Sequence, residues 1–245
     1  MENIVYDQIA EEYKESKQLS FRKYVEEYTL FKISGDISNQ SVLDLACGEG
    51  HYTRKLKSAG AQKVVGVDIS PEMIVLANKE EAKHPTACKY LVSDVATIPD
   101  LGAFDLVSAM YLLNYAQTKE QLLSFCKAAY KHLKEGGRFV GVNDNVQNKP
   151  EHYQTYAKYG FVKAGNAQAI EGDPITYIIQ NSDGTTFQFD NYYLSPQTYA
   201  EAFAEAGFVN FQWEGPFLEP AQRCNDYWNA FMQHPPIIGF SAQKQ

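Results

Sequence analysis

The stretch "VLDLACGEGHYTRKL", residues 42–56, decides the fold. An apolar strand runs into Ala46-Cys47-Gly48-Glu49-Gly50, and a helical pattern begins directly after it. Small residues behind a strand let a ligand come close to the backbone, and the N-terminus of the next helix offers free N–H groups. That setting suits an anionic or carboxylate-bearing cofactor.

The pattern continues outward from this stretch. Apolar strands "KVVGVDI" (63–69), "KYLVSD" (89–94), "FDLVSAM" (104–110) and "GRFVGVN" (137–143) alternate with helical stretches near 50–59, 72–83 and 119–133. Ser70 reads as an N-cap with Pro71 at the first helical position, and Gly136-Gly137 reads as a stop after Lys131, His132 and Lys134. Strands this apolar, alternating with helices, predict an α/β fold: a mostly parallel sheet with helices on both faces. Ligands of such sheets sit outside the carboxyl ends of the strands. Asp44, Asp68 and Asp94 fall at three such ends. Asp68 stands where an acid in these folds takes ribose hydroxyls, and Asp94 where a carboxylate could accept from an adenine amino group.

The flanking segments differ. Two amphipathic helices precede the block, the second placing Phe21, Tyr24, Val25, Tyr28 and Phe31 on one face. Residues 174–194, "PITYIIQNSDGTTFQFDNYYL", read as a hairpin turning at Asp183-Gly184. A capped helix over "SPQTYAEAFAEAGF" (195–208), a strand at 208–213 and a last strand "PIIGFSA" (236–242) follow. The expected organisation is an N-terminal helical lid (1–40), a cofactor-binding core (41–145), an inserted hairpin cap (146–193) and the remainder of the core sheet (194–245).

Composition narrows the function. With 245 residues and 44% hydrophobic content the chain can bury a full core. A net charge of −8 argues against a partner bound through its phosphate backbone, so no nucleic acid is expected. No apolar run is long enough to span a bilayer and Met1-Glu2-Asn3 opens no signal sequence, so neither membrane nor export is expected and the protein reads as cytoplasmic. Cys47, Cys88, Cys126 and Cys224 are scattered and read as buried free thiols; the five histidines lack ligand spacing, so no metal is expected.

The motifs together resemble the class I S-adenosylmethionine-dependent methyltransferases. Asp44, Ala46, Gly48 and Gly50 match the family's first motif, with Ala46 in place of the usual glycine; "VVGVDIS" matches the second, "SDV" the third and "FDLVSAMYLLNYA" the fourth. "YDQIAEEY" (6–13) is similar to the family's cofactor-covering helix, and "PIIGFSA" to its seventh, antiparallel strand. The resemblance implies a Rossmann-like seven-stranded sheet with S-adenosylmethionine as cofactor and S-adenosylhomocysteine as product. It implies a cofactor site of Tyr6, Tyr13, Asp44, Ala46, Gly48, Asp68, Ile69, Met73, Asp94, Val95, Met110 and Tyr111. "DGTTFQFDNYYLSPQTY", "NDNV" and "YWNAFMQHPPIIGF" resemble the group of toxoflavin N-methyltransferases, which methylate ring nitrogens of a pyrimidotriazine.

Methyl transfer from a sulfonium needs alignment and exclusion of water more than a tuned side chain, so no catalytic residue is obligatory. His152 and Tyr192 are the candidates for one. Asn114, Asn143, Asn145, Tyr177, Tyr192 and Trp228 are candidates for the acceptor pocket, with Asp144 and Asn191 beside them. The expected partner is a small-molecule acceptor, and the chain is expected to act as a monomer or homodimer. Two other readings stand beside this one. An NAD-dependent oxidoreductase would want a third glycine where His51 stands, and a non-catalytic module could bind the cofactor without turning it over.

Overall fold

A computed structural model describes residues 15–181 and 184–245. Tyr6, Tyr13, the segment expected to cover the cofactor, and Asp183 lie outside these residues. A π-helical turn, Arg22–Glu27, runs into α1 (Tyr28–Ser34). The alternating block is β1 (Ser41–Leu45), α2 (His51–Ser58), β2 (Lys63–Asp68), α3 (Pro71–Lys83), β3 (Lys89–Val92), β4 (Phe104–Met110), α4 (Lys119–Lys131) and β5 (Leu133–Asp144). An insertion carries β6 (Phe161–Gly165), β7 (Pro174–Gln180) and β8 (Thr186–Tyr192). The chain closes with α5 (Pro196–Glu205), β9 (Phe208–Glu214), α6 (Asn229–Gln233) and β10 (Ile237–Lys244).

The main sheet has seven strands in the order β3-β2-β1-β4-β5-β10-β9, parallel except where β10 runs against both β5 and β9. This is the Rossmann-like arrangement. The chain moves outward from β1 to β3, then returns to place β4 on the other side of β1, so a crevice opens at the carboxyl ends of β1 and β4. Side-chain alternation buries both faces: Val42, Val64, Leu106 and Val140 join one core cluster, while Leu43, Val65, Val107 and Phe139 join the other.

Local signals set the helix starts. Ser70 accepts the N–H of Met73 at 3.1 Å with Pro71 at the first helical position, and Ser195 caps α5 by accepting from Thr198 at 3.2 Å. The expected stop at Gly136-Gly137 is corrected: α4 ends at Lys131 and the two glycines already lie in β5. The amphipathic face is also corrected. The π turn adds a residue to the repeat, so Phe21, Val25, Leu30 and Ile33 are fully buried, while Tyr24, Tyr28 and Phe31 are half-buried. This segment lies on the main sheet, where Arg138 donates to the carbonyls of Ile33 (3.0 Å) and Ser34.

The inserted hairpin gains a third strand that the sequence pattern did not show. β6 pairs with β7 and β7 with β8, both antiparallel, after a 3₁₀ stretch Pro150–Tyr159. One face of this small sheet joins the core cluster of the N-terminal helix through Phe161, Ile175, Tyr177, Ile179 and Phe187. Cys47, Cys88 and Cys126 are buried free thiols, but Cys224 is exposed. Among the described residues no helix is long and apolar enough to cross a membrane, and no three metal-binding side chains are grouped.

Candidate functional site

A cavity of about 500 Å³ opens at the crevice, walled by the carboxyl ends of β1, β2 and β4 on one side and by β8 of the inserted sheet on the other. The opening stretch supplies its floor. Ala46 and Gly48 take positive φ (55° and 54°), which turns the chain sharply under the cavity. A Cβ on Gly48 would meet nothing nearer than the Met73 Sδ at 4.0 Å; it would point into open cavity. Gly50 serves a different purpose. Its φ is 78° and a Cβ there would lie 2.7 Å from the Tyr90 ring, so this glycine lets α2 pack closely.

Asp68 ties two turns together. Its Oδ2 accepts from the Gly48 N–H at 2.7 Å and its Oδ1 from the Ser70 N–H at 2.9 Å, which fixes the glycine turn against the start of α3. Asp94 is exposed at the cavity rim and caps a 3₁₀ turn, accepting from the Ala96 N–H at 2.8 Å. Asp44 is 1% exposed; its Oδ2 accepts from the Thr53 hydroxyl at 2.7 Å, while Oδ1 has no partner. Burial pushes its pKa up from 3.8 to about 7, against the Thr53 hydrogen bond, with the Asp68 charge adding to the rise.

A raised folded-state pKa means the native protein holds this proton more tightly than the unfolded chain does. Stability from this group is fully present below about pH 4 and is lost as pH rises to about 7. Asp44→Asn is therefore expected to gain stability relative to the parent across that window, measured by parallel urea titrations. An unchanged difference between the two proteins would show that Asp44 titrates normally.

Of the residues expected to hold the cofactor, Asp44, Ala46, Gly48, Asp68, Ile69, Met73, Asp94, Val95 and Met110 all line this one cavity. Tyr111 does not. Its backbone has φ 66°, which swings the side chain away between Met110 and Leu112, and its hydroxyl donates to Glu26. Glu26 is fully buried and also accepts from Tyr52 at 2.5 Å and from Arg22 at 2.8 Å. Burial alone would raise its pKa, but Arg22, Lys17 and the two tyrosine hydroxyls hold it below the ordinary value.

Of the acceptor candidates, Tyr192 lines the cavity and the rest do not. Tyr177 is buried and donates to Asp144 Oδ1 at 2.6 Å. Asn114 accepts from the Asp144 N–H at 3.3 Å, and Asn143 donates to the Tyr199 hydroxyl at 3.0 Å. Asn145 holds a loop by donating to the Pro235 carbonyl at 2.8 Å, and Asn191 is buried in the β7–β8 ladder. Trp228 is core, with its ring stacked 5.5 Å from Tyr159. His152 stacks on His234 at 3.6 Å, outside the cavity. It is therefore corrected as a catalytic candidate.

Several lining residues escaped the sequence reading: Lys17, His51 and Tyr52, then Gln188, Phe189 and Asp190 of β8, and Gln121, Ser124 and Phe125 of α4. His51 had a signal, since it directly follows Gly50 in the first turn of α2. Burial, and then the nearby Lys17, Lys55 and Arg54, depress its pKa to about 3, so the imidazole is neutral at ordinary pH.

Residues 42–137 match the family model described as a methyltransferase domain. The chain is 27% identical over 218 residues to the demethylmenaquinone methyltransferase of Lactococcus lactis subsp. lactis, a match covering 86% of this chain and 82% of that protein. It is 34% identical over 108 residues to the tRNA U34 carboxymethyltransferase of Colwellia psychrerythraea, 43% of this chain and only 32% of that protein. Among solved structures, the S-adenosylmethionine-dependent methyltransferase of Mesorhizobium loti superposes with a TM-score of 0.60 at 17% identity, covering 87% of this chain and 94% of its own. Residues 42–137 thus carry a methyltransferase-domain match, and the fold is shared with S-adenosylmethionine-dependent methyltransferases of known structure.

Proposed function

We propose that this protein moves the methyl group of S-adenosylmethionine to a ring nitrogen of a small, flat heterocycle and releases S-adenosylhomocysteine. The observation that carries this reading is a single cavity with the glycine turn and three strand-end acids on one wall and an aromatic cap strand on the other. The residues fit the cofactor's parts. Asp68 would accept from the ribose hydroxyls and Asp94 from the adenine amino group. The bare Oδ1 of Asp44 needs a donor, which the cofactor's ammonium would supply. Gly48 leaves the room that a backbone-hugging ligand requires.

The cofactor supplies an electrophilic methyl carbon. The protein's part is to align and to exclude water; such alignment is worth about 7–11 kcal/mol of barrier. S-adenosylmethionine, when bound, would donate its methyl to the acceptor nitrogen, and a proton on that nitrogen would then need a receiver. His51 is a poor receiver for it, because a base with a pKa of about 3 is far from the working pH. The pyrimidotriazine-like acceptors of the toxoflavin N-methyltransferase group are the first compounds to try, together with pteridines. The test is product mass after incubation with a labelled methyl donor. Label in an added diazine or triazine supports the reading; label only in a protein or nucleic-acid fraction defeats it.

Asp68→Ala is expected to weaken S-adenosylhomocysteine binding by about 1.5–3 kcal/mol, the size of a hydrogen bond to a charged group. Calorimetry reads the loss. Because Asp68 also holds the Gly48 and Ser70 amides, Asp68→Asn serves as a control that keeps one acceptor oxygen for the turn. Equal affinity in the alanine variant and the parent would remove Asp68 from the site.

A further inference from the structure

We propose that Asp190 selects the methyl acceptor by charge: the acceptor presents an N–H donor and is neutral or cationic, and acceptors bearing a carboxylate or phosphate are refused. The inference rests on the methyl-transfer reading above and names the substrate class for the same cavity.

The cap side of the cavity is built from β8 and α4. Tyr192, Tyr115 and Phe125 give it flat apolar surfaces suited to a planar ring. Asp190 stands among them as the acidic group of that wall. Its position is fixed across the β7–β8 ladder, where it pairs with Thr176 and accepts that residue's hydroxyl at Oδ1, 2.6 Å away. Oδ2 remains for a ligand. An ionised carboxylate only accepts hydrogen bonds, so the matching group on the ligand is an N–H or O–H.

The opposite wall reinforces this selection. Asp68 and Asp94 line it. Glu49 also lines the cavity but is paired with Arg54 at 2.6 Å. Among the described residues Lys17 is the one cationic side chain on the walls, and the His51 ring is neutral at ordinary pH. The cofactor adds one net positive charge, which leaves the cavity acidic. An anionic acceptor would meet like charge from both sides, and like-charge juxtaposition is how a site rejects the wrong partner.

The experiment uses protein saturated with S-adenosylhomocysteine and a series on one ring: quinazoline, its amino derivative and its carboxylate, each titrated by calorimetry. In the parent, the amino compound is expected to bind at least about tenfold more tightly than the carboxylate, a modest return for one charge near a protein surface. Asp190→Asn should narrow that ratio and Asp190→Lys should reverse it. Asp190 is exposed, so neither change threatens the fold. Equal or tighter binding of the carboxylate, an unchanged order in Asp190→Lys, or no binding by any member overturns the inference. The methyl-transfer reading fails separately, by the protein's failure to take up S-adenosylhomocysteine at all.

Discussion

Lys163→Ala is expected to cost the protein about 3–5 kcal/mol, the penalty for stranding one member of a buried ion pair. The Lys163 side chain is 0% exposed and its Nζ lies 2.7 Å from Asp144 Oδ1, itself 1% exposed. Burial lowers the lysine's pKa while the Asp144 charge works against that shift. The rings of Tyr153 and Tyr177 lie 4.5 and 5.2 Å from the same nitrogen. Without Lys163, the Asp144 carboxylate keeps the Tyr177 hydroxyl at 2.6 Å but loses its counter-charge, and Oδ2 already has no partner. Urea denaturation should show the loss as a lower midpoint, and melting should fall by roughly 10 °C for a chain of this size. The double variant Lys163→Met, Asp144→Asn removes both charges and should regain most of the stability. A single variant within about 1 kcal/mol of the parent would mean that water reaches the pair.

The second large effect is on binding. Gly48→Leu should lower cofactor affinity by at least about 100-fold while the protein stays folded. Positive φ at a non-glycine residue costs about 1–2 kcal/mol, and the same turn already carries such a residue in Ala46, at φ 55°. The leucine side chain would instead occupy the cavity, since its Cβ has open space around it. Gly50→Leu makes the contrast. Its Cβ would collide with Tyr90 at 2.7 Å and Arg54 at 2.8 Å, so that variant should lose stability first. S-adenosylhomocysteine titration and a melting curve on each protein separate the two outcomes. Normal binding by Gly48→Leu would reduce the turn to a structural feature.

The wall that carries the three acids was legible because it is local. Asp44, Asp68 and Asp94 each sit at the end of an apolar run, and a strand end is visible in the sequence as the place where that run stops. The cap wall was not legible, because Gln188 and Asp190 reach the cavity only through pairing between β7 and β8 and the docking of their sheet. Nothing in "TFQFDNY" says which neighbours it will face. Tyr111 was misplaced for a backbone reason, since a positive φ at a tyrosine cannot be read from its letter. Trp228 and Asn145 look like pocket residues by type, but an indole is also the natural filler for a core built of rings, and an asparagine the natural brace for a loop.

The place of β10 bears on how the protein is made. This strand follows all the others in the chain, yet it is not an edge: it lies between β5 and β9 and pairs Ile237 with Asp144 and Gly239 with Glu214. On the ribosome, β1 to β5 can assemble from successive βαβ units as they emerge, because each strand finds its neighbour early. The free flank of β5 has no such neighbour until residues 237–244 have been synthesised. Through that interval the nascent chain carries an open row of N–H and C=O groups beside Phe139, Val140 and Val142, the kind of edge on which other chains nucleate. Slow elongation or a stop before Ile237 should therefore send the protein into inclusion bodies, with α1 through β5 otherwise native in sequence and in local structure.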